Sequence, residues 1–349
     1  MRLAETFVIA RDSSDEAETI EVELRHEGYS GFGEGTPIER YEEDAAAGVE
    51  FLQECAELLG DDPFALDEIT SRLPARAHTQ AARAALDHAL HDLCGKLTGL
   101  PVWRLLGLRR DGPPTCWTVW LGDPDDMARR AQKAAGFGRL KLKLGGRDGL
   151  DVERVRAVRA VTEVPLQIDV NEYWTADEAL EALPQLAELG VEYCEQPLPE
   201  GDPEGAQVKA ASPIPIYVDE DCHTVADVRG CAERADGINI KLSKSGGLRE
   251  AIRMAHAAHA LGLGVMLGCM TESGLGIAAA AQMASLCDFV DLDGNLLLAE
   301  DPWPGVELVD GRQLPATAPG LGVRAADLAA AERSMAPASP AEEAEQFPR

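Results

Sequence analysis

The chain has 349 residues, of which 45% are hydrophobic, so it can bury a large core either as two domains or as one barrel with an added cap. Its 32 basic and 61 acidic side chains give a net charge of −29. This charge argues against nucleic acid and anionic lipid as partners, because both are polyanions.

Three further features of the sequence bear on where the protein resides. It contains no apolar run of about 18 residues, so we expect no membrane span. The N-terminal segment MRLAETFVIARDSSDE lacks the apolar stretch and small-residue cleavage site of a signal peptide. Eight scattered cysteines without a CxxC pair are typical of reduced, buried thiols. We therefore expect a cytoplasmic protein.

Residues 1–112 are predicted to form an α+β capping domain. TFVIA, ETIEVELRH and the glycine-rich YSGFGEG have the pattern of an antiparallel meander. From about Asp44 the pattern becomes helical, and the last helical segment stops at Gly99, just before Pro101. The three predicted helices are AAAGVEFLQECAELL, PFALDEITSRL and TQAARAALDHALHDLCGKLTG.

Residues 113–300 alternate between strand and helix patterns. The eight predicted strands are CWTVWL, RLKLKLG, PLQIDVN, VEYCEQP, PIYVDED, GINIKLS, LGVMLGC and DFVDLDG. Regular alternation of this kind predicts a (β/α)8-type barrel rather than an open doubly wound sheet. We expect residues 301–325 to return to the cap and the Ala/Pro/Glu-rich tail, residues 326–349, to be partly disordered.

Five charged residues recur at the ends of successive apolar strands: Lys143, Asp169, Glu195, Asp219 and Lys244. The gaps between them are 26, 26, 24 and 25 residues, which is about the length of one strand–helix unit. Catalytic groups of such barrels lie at the C-terminal ends of strands. The spacing therefore predicts one functional charge per unit, with three acids between two lysines.

The three acids Asp169, Glu195 and Asp219 form a candidate metal site. Carboxylate oxygens with open coordination positions suit Mg²⁺, and Mn²⁺ could substitute for it. An acid of this kind can also be a solvated loop residue or a helix cap, but that alternative is weak for three acids in the same phase of consecutive units. We expect these residues to bind Mg²⁺.

Two pairs of lysines flank the candidate metal site. Lys141 and Lys143 lie on one face of their strand, and the better base is Lys143 at the strand end. Lys141 would bind substrate or tune its neighbour. Lys244, immediately before a Ser-Gly-Gly loop, is favoured over Lys241. The alternative for the KLK segment is an edge strand with solvated lysines.

The second and sixth strands of an eight-stranded barrel lie opposite one another, so Lys143 and Lys244 would face the two sides of one carbon. Removing a proton on one side and delivering one on the other is racemisation or epimerisation. The reacting carbon would be α to a carboxylate, whose enediolate form needs metal stabilisation. The sequence thus predicts two-sided proton transfer.

These motifs resemble the enolase superfamily and, within it, the muconate-lactonising subgroup. The matching segments are KxK (Lys141, Lys143), DxN (Asp169, Asn171), EQP (Glu195 to Pro197), DE (Asp219, Glu220) and KxxKxGG (Lys241 to Gly247). The resemblance implies a (β/α)7β barrel, a modified TIM barrel, with an N-terminal α+β capping domain. It also implies Mg²⁺ on Asp169, Glu195 and Asp219, with Lys143 and Lys244 as the acid/base pair and Lys141, Lys241, Asn171 and Glu220 in auxiliary roles.

Within that subgroup the chain is most similar to the dipeptide epimerases. Asp291 and Asp293 match a DxD motif whose carboxylates hold the α-ammonium of a dipeptide, for which paired carboxylates are well suited. The alternative is that these aspartates only form a turn after the strand. Met270 and Thr271 belong to GCMTESG, which resembles the segment lining the substrate in that family.

The preferred dipeptide is indicated by the loop at about residues 10–18, which we expect to close over the site. Arg11 matches the position where Ala-Glu epimerases place an arginine for the substrate's side-chain carboxylate, and arginine suits bidentate binding of this group. Arg11 could instead be a surface residue. The same loop carries four acids that could favour a cationic dipeptide: Asp12, Asp15, Glu16 and Glu18. L-Ala-D/L-Glu is the favoured substrate.

Other reactions on the same scaffold stay open. Muconate cycloisomerase, o-succinylbenzoate synthase and N-acylamino acid racemase share the metal and lysines, but none needs an ammonium-binding DxD. A non-catalytic barrel that binds metal or dipeptide is a more remote alternative. We expect a small-molecule dipeptide substrate and a homo-oligomer, which is common on this fold.

Overall fold

The computed structural model describes residues 1–326 of the chain. The tail predicted to be partly disordered, residues 326–349, lies outside the described residues apart from its first residue. In the part of the chain that is described, no helix is long and apolar enough to cross a membrane.

The chain begins with two antiparallel hairpins. Their strands are β1 (Arg2–Val8), β2 (Ser13–Glu16), β3 (Ile20–His26) and β4 (Tyr29–Gly35). β1 pairs with β2 and β3 pairs with β4, as two separate sheets. The single meander predicted for this segment is therefore wrong. The sequence pattern missed β2 because this strand is short, largely exposed and entirely polar, so it has no apolar alternation.

Four helices follow the hairpins, and the longest of them packs closely on β4. They are α1 (Ala45–Cys55), α2 (Leu66–Arg72), α3 (Gln80–Thr98) and α4 (Val102–Leu105). A Cβ atom at Gly33 or Gly35 would overlap the α3 backbone at Ala85 or Ala81. The alternating glycines of β4 therefore allow a helix to lie directly on the strand.

Eight parallel strands form one sheet in sequence order. They are β5 (Trp117–Val119), β6 (Leu140–Lys143), β7 (Leu166–Asp169), β8 (Val191–Glu195), β9 (Ile216–Val218), β10 (Gly237–Lys241), β11 (Gly264–Gly268) and β12 (Phe289–Val290). The Cys116 amide donates to the Val290 carbonyl at 3.1 Å, and Thr115 forms a parallel bridge with Val290. These contacts join the first and last strands, so the sheet closes into a barrel.

Helices follow each of the first seven barrel strands. They are α5 (Pro124–Lys133), α6 (Asp151–Arg159), α7 (Ala176–Glu188), α8 (Gly205–Ala211), α9 (Val228–Arg234), α10 (Leu242–Ser245), α11 (Leu248–Ala260) and α12 (Gly274–Ala281). The eighth strand is followed only by a short 3₁₀ turn, Gly294–Leu297. The predicted (β/α)7β barrel with an N-terminal α+β unit is therefore confirmed.

The C-terminal segment contains a hairpin of β13 (Glu307–Val309) and β14 (Arg312–Leu314). Beyond it, the Leu321 amide donates to Asp92 Oδ1 of α3 at 2.7 Å, and the Gly320 carbonyl accepts from the Val102 amide at 3.1 Å. The segment thus contacts the N-terminal helices. The domain boundaries at residues 112/113, 300/301 and 325/326 stay a prediction.

The interior of the barrel is divided between apolar and charged layers. Tyr193, Tyr217 and Met266 are buried together, with Phe289 packed against them. Tyr193 and Tyr217 precede Glu195 and Asp219 by two residues, so each pair points to the same side of its strand. The aromatic layer therefore supports the acids from the N-terminal side of the barrel.

Candidate active site

Three acidic residues lie at the C-terminal ends of adjacent barrel strands. Asp169 and Glu195 end β7 and β8 and are partners in the strand register, while Asp219 directly follows β9. Each is at most 1% exposed. An acid this deeply buried needs a compensating cation or several hydrogen bonds, so its surroundings decide what the cluster can do.

Lys141 is the central cation of the acidic cluster. Its Nζ lies 2.7 Å from Glu195 Oε2, 2.8 Å from Asp291 Oδ2 and 3.5 Å from Asp169 Oδ2. Burial lowers the pKa of Lys141, but the carboxylates around it outweigh burial and raise the pKa well above its usual value. Lys141 can therefore act as a fixed positive charge that holds three acids together.

Lys143 and Lys244 approach the acids from opposite walls. Lys143 Nζ donates to Asp169 Oδ2 at 2.6 Å. Lys244, on α10 just beyond β10, donates to Asp219 Oδ1 at 2.5 Å and to the Asn239 carbonyl at 3.0 Å. In the order of the eight strands, β6 and β10 are four places apart, which is half of the closed barrel. The two ammonium groups thus flank the space above the acids.

The electrostatic balance differs among the three acids. Burial alone would raise the pKa of Asp169, but Lys143 and Lys141 lower it to about 2. Asp219 is equally buried, and Lys241, whose Nζ lies 2.7 Å from its Oδ2, acts with Lys244 to hold its pKa far below the usual range. For Glu195 the balance is opposite, because burial and the nearby Asp169 raise its pKa. A further cation beside Glu195 would relieve this repulsion.

Three buried oxygen atoms around the acids have no hydrogen-bond donor: Glu195 Oε2, Asn171 Oδ1 and Glu220 Oε2. Lys141 is an ion-pair neighbour of the first but is not aligned as a donor to it. As the side chains stand, no three His, Cys, Asp or Glu residues within residues 1–326 are grouped as a metal cage. The donor types nevertheless fit a hard divalent cation, since Mg²⁺ takes carboxylate and carbonyl oxygens.

Two buried amides position the acids, and the sequence predictions gave neither a role. Asn239 Nδ2 donates to Glu195 Oε1 at 2.6 Å. Gln196 Oε1 accepts from the backbone amides of Asp219 at 2.8 Å and Glu220 at 3.0 Å. Asn239 could have been found from the sequence, since it is a single amide within the apolar strand GINIK. A buried polar side chain of this kind requires a hydrogen-bond partner.

The backbone just after β7 and β8 is locally unusual. Asn171, Glu172 and Gln196 have positive φ angles of 50°, 75° and 36°. Residues with a Cβ rarely adopt this region, and such strain clusters at functional sites. The two turns carry the side chains of these residues to the rim of the acidic cluster.

Asp291 and Asp293 form a second acidic wall after β12, and both are buried. Asp291 Oδ1 accepts from Cys116 Sγ at 3.1 Å, and Asp293 Oδ2 accepts from the Thr118 amide at 2.6 Å. Burial and the charge of Asp291 raise the pKa of Asp293 to about 7. A cationic group placed between the two would favour the ionised form of both acids.

A cavity of about 220 Å³ joins these groups beneath the N-terminal segment. The predicted site residues that line it are Arg11, Lys141, Lys143, Asn171, Asp219, Glu220, Lys241, Met270, Thr271, Asp291 and Asp293. Asp169 and Glu195 are fully buried and do not line the cavity. Lys244 lines a neighbouring cavity of about 280 Å³ together with Tyr41 and His223. The structure therefore brings all the predicted residues into one region, on two connected faces of the acidic cluster.

Arg11 lies between β1 and β2 and reaches into the cavity. Its Nη1 donates to Glu172 Oε2 at 2.8 Å, and its Nη2 donates to Glu220. Of the four acids in the same loop, Asp12 lines the cavity, whereas the other three are exposed and do not. Of these four acids, Asp12 is therefore the one placed to favour a cationic dipeptide.

Two family models together match most of the chain. The mandelate racemase/muconate lactonizing enzyme N-terminal domain matches residues 1–107, and the enolase C-terminal domain-like model matches residues 125–329. The chain belongs to the mandelate racemase/muconate lactonizing enzyme family. Its predicted place in the enolase superfamily is thereby confirmed.

Several proteins that resemble the chain over most of its length are named epimerases. It is 38% identical to an L-Ala-D/L-Glu epimerase of Bacteroides thetaiotaomicron over 93% of this chain and 85% of that one. A substrate-liganded L-Ala-D/L-Glu epimerase of Bacillus subtilis has a TM-score of 0.86 and 31% identity, covering 93% and 96% of the chains. A dipeptide epimerase of Enterococcus faecalis, complexed with Mg and L-Leu-L-Tyr, has a TM-score of 0.87 and 32% identity, with the same coverage.

Proposed function

We propose that this family member is a metal-dependent dipeptide epimerase. The observation that carries this conclusion is a buried acidic cluster with Lys143 and Lys244 on opposite sides. A separate acidic pair, Asp291 and Asp293, lines the adjoining cavity together with Lys143. The similar proteins described above bear out the predicted isomerase class. The L-Leu-L-Tyr bound to the similar Enterococcus faecalis epimerase also agrees with a dipeptide substrate.

Asp169, Glu195 and Asp219 would hold Mg²⁺, and Mn²⁺ could take its place. The unsatisfied Glu195 oxygen and the raised pKa of this residue support a cation at this point. When bound, the ion supplies positive charge against the negative charge that develops on the substrate carboxylate. The amides of Gln196 and Asn239 keep the acids oriented, and Asn171 and Glu220 complete the polar surroundings.

Lys143 Nζ and Lys244 Nζ would exchange protons with the two faces of the substrate α-carbon. For one epimer Lys143 removes the α-proton and Lys244 delivers a proton on the opposite face, and for the other epimer the roles are reversed. The carboxylates around Lys141 and Lys241 outweigh burial and raise the pKa of both lysines, so these two would stabilise negative charge without moving a proton. All four lysines are buried, which limits the access of bulk water to the reacting centre.

Asp291 and Asp293 would bind the substrate α-ammonium, while Met270 and Thr271 line the same cavity. Arg11 would bind a side-chain carboxylate, which supports L-Ala-D/L-Glu as the preferred substrate. Neutral dipeptides are the second candidate, because a similar solved epimerase binds L-Leu-L-Tyr. The substrate would be a small molecule. A homo-oligomer and a cytoplasmic location remain our expectations.

Incubating the protein with Mg²⁺ and a dipeptide library in deuterated water tests this proposal. Deuterium should enter the α-position of the second residue, most rapidly for acidic second residues. A protein that only binds dipeptide or metal would give no exchange. The control substrates are N-acylamino acids, and faster turnover of these would favour the racemase alternative.

Asp293→Asn provides the matched test of the ammonium site, because Asp293 Oδ2 accepts from the Thr118 amide, whereas Asp291 is the partner of Lys141 in the acidic cluster. The Asp293→Asn substitution should reduce kcat/KM for dipeptides by about 100-fold or more, because a buried charge pair loses one partner. It should affect N-acylated substrates far less, since these lack an ammonium group. Equal losses for both substrate classes would contradict the assigned role.

A further inference from the structure

A cluster of charged residues joins the N-terminal part of the chain to the barrel at the rim of the cavity. Arg11 and Arg40 come from the N-terminal part, and both bind Glu172, which follows β7. Arg40 uses Nε at 2.8 Å and Nη2 at 2.7 Å to hold both oxygens of this carboxylate. Arg40 Nη2 also lies 2.9 Å from Glu200.

The Glu172 carboxylate has a hydrogen-bond donor at each of its acceptor positions only because Arg40 is present. Its oxygens accept two bonds from Arg40, one from the Glu200 amide at 2.9 Å and one from Arg11 at 2.8 Å. A carboxylate has about four acceptor sites. Without Arg40, the carboxylate would keep one backbone donor and would depend on Arg11 for its charge compensation.

Arg11 has N–H groups to spare in this arrangement. It uses Nη1 for Glu172 and Nη2 for Glu220, whereas a guanidinium offers about five N–H donors. Whether these donors attract a further carboxylate depends on the charge left on Glu172. Because Arg40 binds both oxygens of Glu172, it compensates most of the charge of that carboxylate. Arg11 then balances mainly Glu220 and keeps more positive character towards the cavity than it would without Arg40.

We propose that Arg40 is a specificity-determining positioning residue, which binds Glu172 and thereby leaves Arg11 available for the acidic side chain of a dipeptide. This inference rests on the proposed function. Arg40 acts through Glu172 and Arg11 and would not touch the reacting carbon. Its loss should therefore change the selection among dipeptides and leave proton transfer intact.

The test compares kcat and KM for L-Ala-L-Glu and L-Ala-L-Leu in Arg40→Met. We expect KM for L-Ala-L-Glu to rise about tenfold, the value of one charge-assisted contact, with kcat unchanged. KM for L-Ala-L-Leu should change by less than about twofold. Arg40→Lys should be intermediate, because lysine keeps the charge but cannot form the bidentate pair.

Two further variants separate the specific role of Arg40 from a general loss of positive charge. Arg147→Met removes a nearby arginine that stacks on Tyr173 and should leave both KM values unchanged. The double variant with Arg40→Met and Glu172→Gln should restore KM for L-Ala-L-Glu, because the unpaired carboxylate is gone. Glu172→Gln alone should not raise KM for L-Ala-L-Glu. If Arg40→Met fails to fold, a rise of this KM in Glu172→Gln would contradict the inference.

An equal rise of both KM values in Arg40→Met, or no restoration in the double variant, would overturn the inference while leaving the epimerase assignment standing. A wild-type protein that shows no preference for the acidic dipeptide would also overturn it. Failure of the wild-type protein to epimerise either dipeptide would refute the proposed function, and this inference with it.

Discussion

Gln196 is the residue whose removal should most clearly separate positioning from chemistry. Its side chain makes four hydrogen bonds: it accepts from the Asp219 amide at 2.8 Å and the Glu220 amide at 3.0 Å, and it donates to the Leu198 carbonyl at 2.9 Å and Asp221 Oδ2 at 2.8 Å. Replacement by Met keeps the size of the side chain but removes all four bonds. The turn that carries Asp219 would lose its anchor.

The magnitude follows from the two backbone amides. Both belong to residues at most 1% exposed, and each unsatisfied buried donor costs about 1–3 kcal/mol. Gln196→Met should therefore lower the free energy of unfolding by about 2–6 kcal/mol. A shift of Asp219 by about 1 Å would in addition reduce kcat/KM about 100-fold and weaken binding of Mg²⁺.

Urea denaturation and steady-state kinetics at varied Mg²⁺ would measure both effects. The matched control is Gln282→Met, because Gln282 is also buried and also bonds to backbone groups, at Trp103 and Ala278. Because Gln282 accepts from one backbone amide rather than two, Gln282→Met should lower the free energy of unfolding by about 1–3 kcal/mol, with little loss of activity. If Gln196→Met lost stability but kept full kcat/KM, the positioning role would be refuted.

Three further outcomes follow from the structure. Gly237→Ala would overlap the buried Tyr217 ring and should lower the free energy of unfolding by about 1–3 kcal/mol, whereas Gly230→Ala, with open space around it, should not. Burial raises the pKa of Glu34 from 4.5 to about 8, so its contribution to stability is full below about pH 4.5 and declines as the pH rises towards 8. Glu34→Gln should reduce that decline, by up to about 1.4 kcal/mol per pH unit, in denaturation measured from pH 5 to 8. Mg²⁺ should raise Tm by mass action, and Asp219→Asn should abolish the increase in a thermal melt.

Each of these outcomes can be contradicted separately. Equal stability of the two glycine variants would show that the aromatic layer accommodates the added methyl group without loss of packing. Parallel pH profiles for Glu34→Gln and the wild-type protein would show that this carboxyl does not titrate between pH 5 and 8. An undiminished Mg²⁺ shift in Asp219→Asn would place the ion elsewhere.

The barrel could be predicted well from the sequence because its charged residues recur at a regular spacing. Each strand is a short apolar run that ends in a charge, and the register of parallel strands brings Lys143, Asp169 and Glu195 to one level. The strand that follows then carries Asp219. Position at a strand end was therefore sufficient to bring these side chains together.

Other parts of the site depend on geometry that no local pattern carries. Arg40 and Glu172 are 132 residues apart, and their contact exists only because the N-terminal part of the chain lies over the barrel. The role of Gln196 depends on a positive φ angle at that residue, which the EQP motif does not reveal. The polar strand β2 was missed for a similar reason, since its pairing with β1 is not marked by apolar residues.

The central claim is that Lys143 and Lys244 act on opposite faces of one carbon. It is tested most directly by measuring α-proton exchange in deuterated water for each epimer of the dipeptide with Lys143→Ala and with Lys244→Ala. We predict that each variant loses exchange with one epimer and retains it with the other, and that the two variants have opposite preferences. Exchange of both epimers by either variant, or of the same epimer by both, would contradict two-sided proton transfer.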